Sequence, residues 1–140
     1  MLVLLAASFF TAQLAPVDFT SSGGQLFVNG APLQIKGAIW RGAEGPGDLP
    51  EGLTGVHAHT IGHYMEALAE GTFNAVKITF NHQAVLDAAV VEHFDPQVEQ
   101  SLIGKRYLQA LQTIIQEAAA HGLLVALSAA RLAPHDSPGN

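Results

Sequence analysis

Two stretches of this 140-residue chain repeat one pattern, in which an amphipathic helix ends at a glycine and an apolar strand follows. In the first copy, apolar residues recur at helical spacing over residues 61–70, and Gly71 is expected to end the helix in the left-handed conformation. Val76, Ile78 and Phe80 then alternate with small or polar residues, which predicts a strand with one apolar face.

The second copy of the pattern lies nearer the end of the sequence and has the longer helix. This helix is predicted from about Ser101 to His121 and ends at Gly122. Leu123 to Leu127 is a continuous apolar run, typical of a strand buried on both faces of a parallel sheet. Residues 81–100, between the copies, are predicted to be mostly irregular. The apolar face of the helix is expected to comprise Tyr107, Leu108, Leu111, Ile114, Ile115 and Ala118.

Further strands are predicted before the two copies. Asn29-Gly30 separates two short apolar runs within residues 25–37, which is the strongest short-range signal for a β-hairpin. Residues 38–40 are predicted to be a further buried strand, followed by a Gly- and Pro-rich loop at 41–50. This alternation of strands and helices predicts the α/β class, with a parallel sheet or barrel. A complete eight-stranded barrel needs about 250 residues, so the chain is expected to hold its first three strands.

Lys77 is the charged residue within the alternating strand. On the second face of that strand its ammonium group must reach solvent or a carboxylate, because burying an unpaired charge is very costly. Two interpretations stay open: an ion pair with a carboxylate, and a side chain that extends its charge to solvent.

Four segments, in this order, resemble the N-terminal part of glycoside hydrolase family five, the cellulase-type enzymes. They are a hairpin at Leu26–Pro32 and three barrel strands within Lys36–Glu44, Gly71–Phe80 and His121–Leu127. The resemblance covers residues 25–140 and implies an α/β fold. The implied fold is the N-terminal fragment of a TIM (β/α)8 barrel, with about three barrel strands preceded by a β-hairpin.

The resemblance implies a retaining, endoglucanase-like hydrolase of β-linked polysaccharide that acts in polysaccharide catabolism. In this chemistry one carboxyl group protonates the leaving oxygen and a second, about 5 Å away, attacks the sugar carbon. The family carries these groups as glutamates on later strands, so both are expected beyond Asn140 and no catalytic residue is expected within this chain. The chain alone is therefore expected to be inactive. The alternative is a barrel remnant that binds carbohydrate without cleaving it.

Two positions depart from the family pattern. Lys77 stands where the family usually has an arginine that holds the nucleophile carboxylate, and it keeps the charge but loses the two-pronged geometry. Ala130 stands where the family's third strand typically has a histidine before an arginine, and Arg131 retains the arginine. Both departures lower the activity expected of a complete enzyme.

The residues expected to contact substrate lie at the ends of the predicted strands, where barrel enzymes place such contacts. They are Trp40, Glu44, Asn81, His82 and Arg131. Each also has a structural interpretation. Trp40 would be a core residue, and Asn81 and His82 would cap a loop. Glu44 and Arg131 would bind each other or lie at the surface.

His57 and His59 form a His-x-His pair like the one with which metal-dependent amidohydrolases hold zinc. Such a metal-dependent barrel is the alternative enzyme class. Residues 53–56, just before the pair, make a poor strand, and no carboxylate is placed to complete a ligand shell. These histidines are therefore expected to flank the start of a helix, and no metal or cofactor is expected.

The first residues and the charge bear on location and partners. Residues 1–15 have the length of a secretory h-region, which predicts a signal peptide, then a linker at 16–24 and a secreted domain at 25–140. An N-terminal helix packed on the domain is the alternative. With 6 Lys and Arg and a net charge of −6, the chain lacks the basic surface of nucleic-acid-binding proteins. The expected partner is β-linked polysaccharide or oligosaccharide, with no membrane partner after removal of the signal peptide.

Overall fold

The computed structural model describes residues 17–45 and 47–130. The described residues divide into two compact units, one within residues 17–34 and one within residues 35–130. The signal peptide predicted at 1–15 and the predicted substrate contact Arg131 lie outside the described residues. Both therefore stay predictions.

The first unit contains an antiparallel sheet with strands β1 at Phe19–Ser22, β2 at Gln25–Val28 and β3 at Ala31–Leu33. Asn29 and Gly30 join β2 to β3 with φ angles of 49° and 79°, the left-handed pair that a tight two-residue hairpin requires. The predicted hairpin is confirmed. The third strand of this sheet, β1, was not predicted, because β1 and the turn after it fall in the segment predicted as a linker, residues 16–24.

The second unit is built on a parallel sheet in the order β4-β5-β6, with strands at Gly37–Trp40, Ala75–Asn81 and Leu124–Ala130. Its helices are α1 at Ile61–Glu70, α2 at His82–Leu86 and α3 at Tyr107–Ala120, and a single 3₁₀ turn spans Gln100–Leu102. Gly37, Ala75 and Leu124 are aligned across the sheet, so the three strands begin at one edge and run the same way. The predicted α/β class and parallel sheet are confirmed.

The apolar face of β5 lies at the centre of the core. Val76 and Ile78 are fully buried, whereas Lys77 between them is exposed, as the alternation predicts. Phe80 packs at the margin of the same core. The helices α1 and α3 contribute to it the buried side chains Ile61, Met65, Tyr107, Ala110, Leu111, Ile114 and Ala118. One strand face and two helices therefore share a single apolar core.

The helix α3 begins at Tyr107, six positions later than the predicted Ser101. Residues 100–102 form the 3₁₀ turn instead, and Gly104 adopts a φ angle of 71°, which interrupts the helical path. The apolar face is also narrower than predicted, because Leu108 is 49% exposed. Gly122 ends α3 with a φ angle of 73°, as predicted.

The end of α1 differs from the prediction by one residue. Gly71 has a φ angle of −70°, and the left-handed conformation falls on Thr72, with a φ angle of 59°. Phe73 then donates its N–H back into the last turn of the helix, as in an ordinary glycine-capped end. Lys36 stabilises this arrangement, because its ammonium group donates to the Gly71 carbonyl and the Thr72 hydroxyl at 2.8 and 2.6 Å.

The outer strands β4 and β6 are more exposed than the sequence predicts. Ile39 in β4 is 57% exposed and Leu127 in β6 is 46% exposed. Within the described part of the chain, each of these strands pairs only with β5 and is an edge of the sheet. The predictions of a buried first strand and of a last strand buried on both faces were wrong for that reason. The sequence also missed α2, because a helix of 5 residues gives too short a periodic signal.

Thr60 is the N-cap of α1, and its hydroxyl accepts the His63 N–H at 3.1 Å. Thr60→Ala should lower the free energy of unfolding by about 1 kcal/mol, because this N–H loses its partner. Chemical denaturation followed by circular dichroism measures the difference. Thr54→Ala, at an exposed turn position, is the matched control. Equal stability of the two variants would contradict the capping role.

Candidate functional site

The carboxyl ends of β4, β5 and β6 meet at one edge of the parallel sheet, where α/β proteins place their binding sites. Asn81 at the end of β5 is aligned with Ala130 at the end of β6. The segment that follows β4 reaches the same edge, because Glu44 is hydrogen-bonded to Asn81. We call this edge the strand-end site and define it by Glu44, Asn81, His82 and Ala130.

Asn81 is the residue that joins the parts of the strand-end site. It is 2% exposed, and its Oδ1 accepts the Ala84 N–H at 3.1 Å, which caps α2. Its Nδ2 donates to the Glu44 carbonyl oxygen at 2.9 Å, and its main-chain N–H donates to the Ala43 carbonyl oxygen at 3.0 Å. The end of β5 is therefore bonded both to α2 and to the segment after β4.

Glu44 is half-buried, and the backbone of its own turn holds its carboxylate. Oε2 accepts the Gly42 N–H at 2.7 Å. Gly42 has a φ angle of 110°, and a Cβ atom on it would lie 2.7 Å from the main-chain nitrogen of Glu51. Only glycine permits this close approach in this conformation. The position of the carboxylate thus depends on the folded path of residues 41–51.

Tyr107, the first residue of α3, is hydrogen-bonded to the backbone at the strand-end site, although the sequence pattern predicted only a place on the apolar face of a helix. Its hydroxyl donates to the Ala43 carbonyl oxygen and accepts the Asn81 N–H at 3.1 Å. Burial raises the pKa of the phenol, and the nearby Glu44 and Asp48 carboxylates raise it further, whereas the Asn81 main-chain hydrogen bond lowers it. With the net effect upward, the hydroxyl is protonated at neutral pH.

His82 starts α2 directly after Asn81 and is half-buried. Its Nδ1 lies 3.4 Å from the Ala130 carbonyl oxygen, so a hydrogen bond there requires a proton on Nδ1. In that tautomer the neutral ring leaves Nε2 as an acceptor. The site therefore joins Glu44, Asn81 and His82, three of the residues expected to contact substrate, and Ala130 occupies the end of β6. Their contact with substrate stays a prediction.

Lys77 is exposed and lies on the face of β5 opposite Val76 and Ile78. Across the sheet it is aligned with Ile39 in β4 and Ala126 in β6. Within residues 17–45 and 47–130, no hydrogen-bond or ion-pair partner of its ammonium group is found. The predicted ion pair with a nucleophile carboxylate therefore stays a prediction.

Trp40 lies on the other face of the sheet, because it is aligned with the buried Ile78. Its Nε1 donates to the Glu51 carbonyl oxygen at 2.8 Å, and its ring centroid lies 5.1 Å from that of Tyr64 in α1. Tyr64 is fixed in turn by donating its hydroxyl to the Gly52 carbonyl oxygen at 2.9 Å. These contacts favour a packing role for Trp40, and its predicted contact with sugar stays a prediction.

The histidines before α1 are arranged by ring packing. The imidazoles of His59 and His63 stack with centroids 4.1 Å apart, and both contact the ring of Tyr64 edge-on. No group of three or more potential metal ligands occurs in the part of the chain that the structure describes, and His57 lies in a turn without a preceding strand. The metal-dependent interpretation of His57 and His59 gains no support from this arrangement.

Comparison with solved structures finds endocellulases. Two cellotetraose complexes of the endocellulase from Pyrococcus horikoshii match with TM-scores of 0.71 and 0.73 at 22% and 21% identity, over 79% and 84% of this chain and 30% and 33% of those chains. The catalytic domain of the major endoglucanase from Xanthomonas campestris pv. campestris matches with a TM-score of 0.60 at 28% identity, over 70% of this chain and 28% of that chain. This chain has the fold of the N-terminal part of a cellulase-type glycoside hydrolase.

The chain spans about a third of the length of the cellulase structures it matches. No protein-family model and no curated protein matches its sequence. Across residues 17–45 and 47–130, no helix has the length and apolar character needed to cross a lipid bilayer.

The bonds of Asn81 can be tested separately. Asn81→Ala should lower the free energy of unfolding by about 2 kcal/mol, because it removes the cap of α2 and leaves the half-buried Glu44 carbonyl oxygen without this donor. Asn81→Asp keeps an acceptor for the Ala84 N–H. Its cost should be smaller at pH 4 than at pH 7, because only the protonated carboxyl group can donate to Glu44.

Urea denaturation at the two pH values measures both effects. Gln83→Ala is the control, because Gln83 is an exposed residue of α2 whose side chain, in the part of the chain that the structure describes, donates to Asp87 at the surface. A loss for Asn81→Ala no larger than that for Gln83→Ala would show that Asn81 does not hold the site together.

Proposed function

We propose that residues 35–130 are the first three barrel strands, with the helices between them, of a (β/α)8 barrel in a retaining glycoside hydrolase that cleaves β-linked glucan. The observation that carries this proposal is the neighbouring, parallel order β4-β5-β6, in an arrangement that matches solved endocellulase structures, among them cellotetraose complexes of the Pyrococcus horikoshii enzyme. In this proposal the strand-end site is part of the sugar-binding edge.

The exposed edges of the sheet support a longer barrel. β4 and β6 each have β5 as their only neighbour within the described residues, and both edges carry exposed apolar side chains such as Ile39 and Leu127. Open, apolar strand edges promote aggregation, and barrels remove them by adding strands until the sheet closes. Closing the barrel would cover Ile39, which is aligned with Lys77 on the interior face, and a helix after β6 would cover Leu127, which is aligned with the buried Ile78.

The proposed chemistry requires two carboxyl groups about 5 Å apart, one as acid/base and one as nucleophile. We place both on strands beyond Asn140, so residues 1–140 alone would bind glycan without cleaving it. Lys77 is the contribution of this chain to that pair. Its ammonium group faces away from the core of α1 and α3, on the side that becomes the interior of a closed barrel, where it would hold the nucleophile carboxylate ionised.

Sugar contacts are proposed for Glu44, His82 and Arg131, with Asn81 holding the first of them in place. Within the described residues the Glu44 carboxylate accepts the Gly42 N–H, and it retains lone pairs for sugar hydroxyls. His82 offers Nε2 as an acceptor when Nδ1 donates to Ala130. Secretion belongs to the same proposal, because a polymeric β-glucan is degraded outside the cell and residues 1–15 include an apolar run of the length of a secretory h-region.

Binding can be tested on the full chain by titrating cellotetraose into 15N-labelled protein. The expected result is a set of amide shifts confined to the strand-end site, and His82→Ala should weaken binding about fivefold by removing one hydrogen bond. His121→Ala is a matched control, because His121 lies after α3 at the opposite end of the sheet. The α-linked maltotetraose serves as the control ligand. Equal shifts with both sugars, or none with cellotetraose, would contradict the proposal.

Catalysis can be tested in a chimera in which residues 35–130 replace the matched part of the Pyrococcus horikoshii endocellulase. Lys77→Arg should raise kcat/KM for cellotetraose, because the guanidinium group binds a carboxylate with two parallel hydrogen bonds. Lys77→Met should lower it at least tenfold by removing the charge. Ala130→His should raise it further by restoring an imidazole at the third strand end.

The outcomes of the chimera experiment separate the candidate functions. No gain from Lys77→Arg or Ala130→His in a folded, active chimera would contradict the roles given to these two positions. A chimera that binds cellotetraose but does not hydrolyse it would favour the alternative of a glycan-binding barrel remnant.

A further inference from the structure

We propose that Tyr107 is the positioning residue of the strand-end site, and that its hydroxyl fixes Glu44 and His82 relative to one another for binding of a β-linked glucan chain. This inference rests on the proposed function. It assigns to a residue of α3, outside the three strand ends, control over the geometry of the sugar contacts.

The position of the Tyr107 hydroxyl is the first support. It donates to the carbonyl oxygen of Ala43, the residue before Glu44. It also accepts the main-chain N–H of Asn81, the residue before His82, at 3.1 Å. One hydroxyl group is thus bonded to the backbone next to each of two proposed sugar contacts, which lie on the connections after different strands.

The second support is that Tyr107 itself has little freedom to move. The residue is fully buried, and its main-chain N–H donates to the Ala89 carbonyl oxygen at 2.8 Å. Ala43 is also fully buried, so water has no access through these residues to replace the hydroxyl. A buried hydroxyl group that makes two hydrogen bonds in a packed core therefore holds the segments of Ala43 and Asn81 in fixed positions relative to α3.

The third support is that loss of the hydroxyl would loosen the site without unfolding it. The Asn81 N–H also donates directly to the Ala43 carbonyl oxygen at 3.0 Å, so both groups keep a partner in Tyr107→Phe. The Asn81 side chain continues to bond Glu44. The raised pKa of the phenol keeps the hydroxyl protonated at neutral pH, so its hydrogen bond to the Ala43 carbonyl oxygen is present at that pH.

The test compares Tyr107→Phe with Tyr64→Phe in the full chain. Tyr64 is the other tyrosine of the chain, and its hydroxyl also donates to a main-chain carbonyl, that of Gly52, but on the helix side of the sheet. Three quantities are measured: the thermal midpoint, the Kd for cellotetraose by calorimetry, and the amide chemical shifts of Gly42, Glu44 and His82 without sugar.

The expected result is a similar small drop in thermal midpoint for both variants, because each loses one hydrogen bond. Only Tyr107→Phe should weaken cellotetraose binding, by about tenfold, and only this variant should shift the amides of Gly42, Glu44 and His82. An equal loss of stability with unequal loss of binding separates positioning from a purely structural role.

Two results would overturn the inference. One is a folded Tyr107→Phe variant that binds cellotetraose within about twofold of the wild type. The other is an unchanged set of amide shifts at Gly42, Glu44 and His82. If the wild type itself does not bind cellotetraose, the proposed function fails, and the amide shifts alone still decide whether Tyr107 holds these loops.

Discussion

The pairing of β5 on both of its sides is the interaction on which the second unit depends. β5 is aligned with β4 from Ala75 to Ile78 and with β6 along its whole length, and one of its faces is buried against the helices. A slip of one residue would turn Val76 and Ile78 out of the core and bring Lys77 into it, at a large cost in desolvation. The register is therefore strongly specified, and it places Asn81 at the edge of the sheet.

The parts of the fold that could be predicted depend on residues that lie close together in the sequence. The hairpin at Asn29-Gly30 follows from two residues that tolerate positive φ angles, and α1 and β5 follow from their periodicity. The start of α3 was predicted wrongly, because most of residues 100–106 tolerate a helix and the sequence does not determine that Gly104 takes the left-handed conformation. Likewise, the transfer of the left-handed position from Gly71 to Thr72 involves Lys36, which lies far away in the sequence.

The candidate site likewise has one part that could be predicted from the sequence and one part that could not. Glu44, Asn81 and His82 could be expected to meet because parallel strands end at a common edge, and the structure brings them together. The contribution of Tyr107 could not be expected from the sequence. Its hydroxyl links Ala43, after β4, to Asn81, at the end of β5, whereas its place on a helix face predicts only that it is buried. The side of the sheet on which Trp40 lies depends on the register between β4 and β5, which the sequence of either strand alone does not determine.

Lys77 connects the sheet to the proposed chemistry through the cost of enclosing a charge. In the described residues its ammonium group is exposed beside Ile39 and Ala126. Because solvent hydrates the charge, leaving it without an ion-pair partner there costs little free energy. Closing a barrel around the same face would remove that solvent, and an unpaired ammonium group would then cost several kcal/mol. A carboxylate on a later strand would offset this cost, and the ammonium group would in turn favour the ionised form that a nucleophile needs. Closure of the proposed barrel would therefore require a carboxylate opposite Lys77. At this position the stability of the barrel and its chemistry would depend on the same ion pair.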